Sequence, residues 1–564
     1  MQQKPDHVLV AMSFPGQSSV PFLIALGFSH PYRTLIILFI CVCGITRWIS
    51  GVKAQGDDFS SPVKRVKVTP YWIPVIGSAF NFAADSYRYI GRLGDKTRDG
   101  IVAINLGGAT HHFILSPSLA RTFFTKRSLS MKEMVYHAME NFFGDPGTLR
   151  TVSDDVLWGP IHRSLYGFMR DEFIHKGIDR VTEELRKRTP EFISFAKSEI
   201  DQHVWERPAR VQLQRDGSAV VDLWPLSRNF VGDIASLVFM GQDFMDNNPD
   251  ILRDLWTHDA KLNSFLIGLP RFFPGMGLAY AARERIRNAL EQWNVALRTF
   301  QLGRDPGPEW SDMSDASDVM KLRNKAWFDN KAPTASIGPV NANSIIFFTI
   351  YHIITNPELY ARIMTEISPY VYLTPGPNDL PIPDLPQLNI KGPELVRNTP
   401  LLKATMFECL RLDAHPFSYK KAIEDTTLTE SEADAALLGK PFPQTYFIPK
   451  GSFVAISHGS IQMDPKYWDS PHEFRPERFL VTDPATGETK AEMGQLMSFG
   501  GGSTMCKGRK FAEKEIITFV ASILGYWDFE PVDKTKGWPK VESYTMAGAD
   551  YAKEYFVKMR RKKM

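Results

Sequence analysis

Cysteine is scarce in this chain, with four in 564 residues. That excludes a small disulfide-built secreted scaffold and makes a reducing compartment the default setting. Two of the four, Cys41 and Cys43, fall in the most apolar stretch, which leaves Cys409 and Cys506 for chemistry. An excess of either charge is also lacking. Lysine and arginine number 66 against 63 acidic residues, a formal net charge of +3, which argues against a nucleic-acid partner. There are no internal repeats. No Gly-x-Gly-x-x-Gly follows a strand-like run, so the chain carries no flavin or nicotinamide fingerprint of its own. What is present is the balance of a folded protein, 43% hydrophobic and 23% charged, long enough to bury a sizeable core.

The N-terminus has the longest uncharged run. Residues 34–51 include TLIILFICVCGI and reach the length that crosses roughly 30 Å of hydrocarbon. A buried core helix is the alternative. A cleaved signal peptide fits poorly, because the run starts late and no small-residue cleavage site follows a basic segment. Arg47, Lys53, Lys64, Arg65 and Lys67 follow the run, while only Lys4 and Arg33 precede it. The positive-inside bias therefore predicts a luminal segment at 1–33, an anchor at 34–51, a basic linker at 52–67, and a cytosolic domain at 68–564. Prolines predict a stiff, extended connector over Val68–Phe82. Alternation around Gly107-Gly108 predicts a β-hairpin over Ile101–Ser116. Helical patterns dominate beyond Pro117. Two tracts rich in Pro, Gly and polar residues, Gly303–Pro339 and Thr374–Pro393, read as loops. Between them, Asn341–Ile367 reads as a long buried helix that Asn356-Pro357 would end.

The strongest chemical signal is SFGGGSTMCKGRKFAEKEI, Ser498–Ile516. Gly500, Gly501 and Gly502 let backbone approach a ligand. Cys506 sits at the mouth of a helical pattern beside Lys507 and Arg509, a setting that stabilises a thiolate. This pattern resembles the haem-binding loop of the cytochrome P450 family, Phe-x-x-Gly-x-x-x-Cys-x-Gly, through Phe499, Gly502, Cys506 and Gly508, with Ala512 beyond. The resemblance implies that Cys506 is the proximal iron ligand of haem b. Glu408 and Arg411 supply the family's Glu-x-x-Arg, one helical face by their spacing. Arg478 in FRPERF is the third member of what the family uses as a bracing triad.

The distal stretch departs from the family. Asn343 stands where an acid is expected and Ser344 where threonine is expected. An amide cannot exchange a proton at neutral pH, though it positions water. Asn343 as a polar residue satisfying a helix bend is the bland alternative. Ala342-Asn343-Ser344 is similar to the branch containing the sterol 7α- and 12α-hydroxylases and prostacyclin synthase, as are PYWIPVIGSAFNF and the non-basic Thr504. With Thr504 non-basic, the resemblance shifts the haem-propionate contacts to Trp158, His162 and Lys420. It places Phe347, His415, Pro416 and Phe417 at the substrate. FLIGLPRFFPGMGLAY, Phe265–Tyr280, would be a loop that dips into the bilayer.

The expectation is a mainly α protein with a minor β region, the cytochrome P450 fold preceded by a transmembrane helix. The implied activity is oxidation of a lipophilic small molecule (a sterol, terpenoid or other polycycle) by a monooxygenase on the cytosolic face of the endoplasmic reticulum. NADPH-cytochrome P450 reductase would supply electrons and membrane lipid would be the surrounding partner. Fungal-type secondary metabolism fits the overall resemblance. The alternative is a haem-thiolate isomerase or dehydratase that rearranges a peroxide without dioxygen or reductase.

Overall fold

Apolarity alone dictates the first element. Helix α1 (Pro31–Val52) has a mean hydropathy of 2.1 over Tyr32–Val52, and none of its apolar window is buried against the rest of the protein. The structure, a computed structural model, describes residues 31–52, 63–330, 342–376, 385–502, 505–546 and 549–563. The segment through residue 30, residues 53–62 of the basic linker, Pro339–Asn341 and Thr504 lie outside the described residues.

The predicted hairpin forms as β1 (Ile101–Leu106) and β2 (Ala109–Ile114), with Gly107 and Gly108 both at positive φ in the turn. The proline-rich connector runs extended beside β1, with Thr69 N–H bonded to the Ala103 carbonyl at 2.7 Å. It ends sooner than expected, because Ala79–Ala84 is helical. Further on come α2 (Leu223–Met240), preceded by β3 (Ala219–Asp222), then α3 (Ile251–Asp259) and α4 (Met276–Gln301).

Two tracts read as loops hold regular structure, and the expected break at Asn356-Pro357 is found, with a second helix beyond it. The Gly303–Pro339 tract contains a helix, α5 (Asp318–Asp329). Ser317 caps it by accepting from the Met320 N–H, and buried Val319 and Met320 dock it on α4, so tertiary packing overrides the polar composition around it. The Asn341–Ile367 run is two helices, α6 (Ala342–Ile354) and α7 (Pro357–Ile367). Pro357 takes the first turn of α7, where its missing N–H costs nothing, and Asn356 caps that helix. The proline tract after residue 374 is flanked by a two-stranded ladder, β4 (Val371–Thr374) with β5 (Gln387–Ile390), whose inner residues Val371, Leu388 and Ile390 are buried.

Helix α8 (Pro400–Leu412) leads into β6 (Phe417–Ala422). The strand β7 (Phe453–Ser457) pairs antiparallel with β6 and parallel with β2, giving a sheet ordered β1–β2–β7–β6 with short Leu129–Ser130 at its edge. Helix α9 (His458–Gln462) follows, and α10 (Arg509–Tyr526) starts three residues after Cys506. A second hairpin, β8 (Ser543–Met546) with β9 (Ala549–Ala552), and β10 (Phe556–Arg561) close the chain, β10 returning to pair with β3.

The main hydrophobic core packs α2, α6, α8 and α10 together. Within it sits a charge cluster. Arg411 donates two hydrogen bonds of 2.8 Å to the Glu408 carboxylate, and Arg478 Nε adds one of 3.1 Å. Glu408 and Arg411 have no exposed surface. Removing one member leaves uncompensated buried charge, a cost of roughly 3–5 kcal/mol. Glu408→Ala is therefore expected to yield protein that melts early and carries little haem; a fully loaded variant with wild-type melting would show the cluster to be dispensable.

Candidate active site

A cavity of about 590 Å³ lies between the Cys506 loop and a roof of three helices. Its floor is made by the loop and by alternate residues of the chain leaving α8. Phe499 N-terminal to the glycines accepts the Cys506 N–H at 2.8 Å, which folds the loop back on itself. Gly502 has φ +56°, and a Cβ there would sit 3.0 Å from the Phe124 carbonyl oxygen; at Gly501 it would sit 2.6 Å from the Phe124 ring. Side chains are thus excluded where the loop runs against Phe124. Cys506 itself is exposed and lines the cavity together with Phe499.

The other thiol in the folded domain has the opposite setting. Cys409 is fully buried, and burial pushes its thiol well above the usual cysteine value. It clusters with His352 and Asp413. Those two already bond each other at 3.0 Å, and the His352 ring stacks on Phe474 with centroids 3.9 Å apart. None of these three residues lines the cavity.

Side-chain phase decides which of the expected substrate contacts meet the cavity. Ala414, Pro416 and Ser418 face it, the alternation of an extended chain. Of the residues expected from the sequence, only Pro416 belongs to that set. His415 points the other way, stacked on Tyr87 at 4.0 Å and 3.7 Å from the Asp550 carboxylate. Phe417 joins Phe82 and Phe113 behind the sheet. On α6, Ala342 and Ile345 are the cavity residues. Phe347 is two residues past Ile345, about 200° around the helix, and packs fully buried on Trp224 and Tyr555.

Asn343 and Ser344 are also turned from the wall. The Asn343 Oδ1 accepts the Ser344 N–H at 2.6 Å. The Ser344 hydroxyl donates to the Asp550 carbonyl on β9, tying α6 to the C-terminal hairpin. Asp550 in turn donates its N–H to the Asp413 carbonyl at 2.7 Å. The proton-relay contact expected of Ser344 is thus taken by a structural one.

Trp158, His162 and Lys420, expected as propionate donors, do not line the cavity itself. Trp158 Nε1–H is buried without a partner, an unmet demand of the kind folded proteins avoid. His162 lies against Trp158 with ring centroids 5.7 Å apart. Burial, and then the Lys507 ammonium, hold its imidazole below the ordinary value, which brings it close to the cysteine loop. Lys420 follows Ser418 on the same face of β6, but its ammonium is engaged by the carbonyls of Phe123 (2.9 Å) and Phe124 (3.3 Å). Sequence reasoning missed His458. Its Nε2 meets the hydroxyl of cavity residue Ser418 at 2.9 Å, and its buried Nδ1 has no partner. No local pattern marks it; only α9 packing beside β6 does. An open thiol, glycine-bounded backbone and orphaned donors form a fitting bed for haem.

Glu515 on α10 also lines the cavity and was not anticipated. It is buried, its Oε1 lacks a partner, and desolvation pushes its carboxyl up to about 8. No local pattern separates it from Glu513 two residues earlier; only packing buries it.

Comparison with known proteins agrees with this geometry. The family model for Cytochrome P450 matches residues 338–553, which include α6, α8, the Glu408 cluster and the Cys506 loop. A cytochrome P450 monooxygenase of Gibberella zeae is 22% identical over 82% of this chain and 80% of its own length. One from Penicillium oxalicum is 23% identical over 84% and 89%. Corytuberine synthase of Coptis japonica is 27% identical over 53% of this chain and 56% of its own. With the cysteine loop, the buried charge cluster and these relatives in agreement, residues 338–553 match the cytochrome P450 family and the chain is similar over most of its length to fungal cytochrome P450 monooxygenases.

Proposed function

We propose that Cys506 is the thiolate ligand and that the protein oxidises a lipophilic small molecule at the membrane surface with electrons relayed from NADPH by a flavoprotein reductase. The observation that carries the first assignment is the contrast of the two thiols: Cys506 opens onto the cavity, while Cys409 is sealed in the core. Bound haem supplies dioxygen activation; everything else falls to the chain. Phe499 and the glycine run hold the loop so that the thiol faces the cavity. Trp158, His162, Ser418 and His458 offer donors for the propionates. Lys507, Arg509 and Lys510 give the cysteine side of the domain a basic character suited to an acidic reductase. Ala342 and Ile345 leave space over the floor, and ordered water or a substrate hydroxyl carries protons there in place of the missing acid. The isomerase reading draws only on Asn343, and the monooxygenase relatives weigh against it.

Membrane residence in the endoplasmic reticulum is supported by two features. α1 is exposed and apolar. Phe272 (88% exposed) and Leu278 (76%) project from the Phe265–Tyr280 segment, where exposed apolar surface suits a bilayer. A terpenoid, sterol or other polycyclic substrate in secondary metabolism fits this placement.

Cys506→Ser should abolish the thiolate-type Soret band of the reduced carbon-monoxide complex, and Cys409→Ser should retain it; the reverse result would move the ligand to Cys409. Deleting residues 1–51 should release much of the protein from membranes, with a peripheral fraction held by Phe265–Tyr280. A truncated protein that resists carbonate extraction would refute the single anchor.

Glu515 gives a pH forecast. Its folded value of about 8 stands above the ordinary 4.5, so the native state holds a proton that the unfolded chain releases. Stability is full below the unfolded value and is lost as pH climbs through this window. Glu515→Gln should match wild type in melting temperature at acidic pH and exceed it by a growing margin up to pH of about 8; parallel curves would show that the carboxyl is solvated.

A further inference from the structure

The roof of the cavity is built from three helix faces. α3 contributes Ile251, Leu255 and His258, at spacings of four and three. α4 contributes Arg283, Ile286, Arg287 and Leu290, one continuous stripe. α2 adds Phe239 and Met240. Most of this roof is apolar, yet two guanidinium groups and an imidazole interrupt it. The only carboxylate among the described lining residues, Glu515, belongs to α10 and is not part of the roof.

The local charge balance is positive. Arg283 is 12% exposed, Arg287 35%, and both share one counter-ion, Glu284, at 3.5 Å and 3.1 Å. Arg283 also donates to the Asn141 carbonyl at 3.0 Å and lies over the Tyr280 ring, but its Nε–H is buried with no partner. A guanidinium has five N–H donors, so each arginine retains donors after these contacts. His258 Nε2 lies 3.0 Å from the Phe142 carbonyl, which can only accept, so the proton sits on Nε2 and Nδ1 is an acceptor. Burial holds this ring neutral, its value lowered to about 4. The net charge of the roof is thus one positive unit from two arginines and Glu284.

We propose that the substrate is a lipophilic carboxylic acid, whose carboxylate is held in the roof by Arg287 and Arg283 while its apolar body extends along Phe239, Leu255 and Ile286 toward the Cys506 floor. Carboxylate and guanidinium match in shape as well as charge, and a pairing lined by apolar walls is stronger than one in water. A neutral sterol or hydrocarbon would leave the two cations facing apolar surface, which costs desolvation with no return. The inference rests on the monooxygenase reading for the orientation of the substrate, but acid binding is measurable without turnover.

The test is binding to purified holoprotein, followed by the Soret shift and in parallel by equilibrium dialysis. Lauric, palmitic, dehydroabietic and lithocholic acids are each compared with their methyl esters. At least one acid should bind about tenfold or more tightly than its ester, the worth of a charged hydrogen-bonded pair. Arg287→Met should shrink that ratio to about twofold, and Arg283→Met should do likewise. Should Arg283→Met not fold, because it also braces Asn141 and Tyr280, the more exposed Arg287 carries the test alone. Equal binding of acids and esters, failure of every acid to bind, or a ratio unchanged by Arg287→Met would overturn the proposal. Acid discrimination without any NADPH- and dioxygen-dependent product would support the proposal and sink the monooxygenase reading instead.

Discussion

The carboxylate of Glu408 is the point from which the rest of the haem side is positioned. It accepts from Arg411, Arg478 and the Arg475 backbone N–H, with Glu408 and Arg411 themselves unexposed. Arg411 spends its remaining donors on the carbonyls of Gln462, Pro471 and Glu473. Gln462 returns from α9 to the carbonyls of Leu410, Arg411 and Ala414. Ser498, one residue before the cysteine loop, bonds both the Leu410 carbonyl and Gln462 Oε1. A continuous set of hydrogen bonds therefore runs from the ion cluster to the loop that presents Cys506. Such a buried network contributes less as net stability than as specification of one arrangement, since every half-satisfied alternative leaves a charge unpaired.

Burial then separates two residues of one chemical type. Cys409 lies within the hydrophobic core, beside Asp413, and both burial and that neighbour oppose a thiolate. Cys506 lies at the mouth of α10, next to Lys507 and Arg509 and open to the cavity. The contrast is one of access: one sulfur is sealed in the core and the other faces the cavity. Glu515, buried along the same helix, stays protonated at neutral pH and so adds no negative charge. The cavity carries the Cys506 sulfur on its floor and the Arg283 and Arg287 guanidinium groups in its roof.

Distal architecture follows from a different economy. Where the family places an acid and an alcohol, this chain puts an amide that caps its own neighbour's N–H and a hydroxyl that grips the Asp550 carbonyl. The hydroxyl thereby couples α6 to the C-terminal hairpin, whose Tyr551 reaches the cavity wall and bonds Asp259 at 2.8 Å. Position of the hairpin and shape of the pocket are linked through one serine.

The sequence by itself determined the features that depend on neighbours along the chain. The Phe499–Gly508 spacing, the Gly107-Gly108 turn, the apolar run of α1 and the Glu408–Arg411 pair on one helical face are all local, fixed by covalent spacing and backbone preference. Even the order of elements around Pro357 was signalled by the ring's steric demand. Tertiary structure alone decided which side chains meet the cavity. Phase was the obstacle: shifting by one residue along Ala414–Ser418 moves His415 and Phe417 to the far side, and two residues along α6 carry Phe347 into the core. It also decided that the polar tract holding α5 folds as a helix, because α4 offered a surface for Val319 and Met320. Glu515, Arg283 and Arg287 come to one cavity from segments as much as 232 residues apart in the sequence, with His458 behind its wall residue Ser418. No periodicity along the chain encodes such a meeting; it exists only once packing has fixed where each face points.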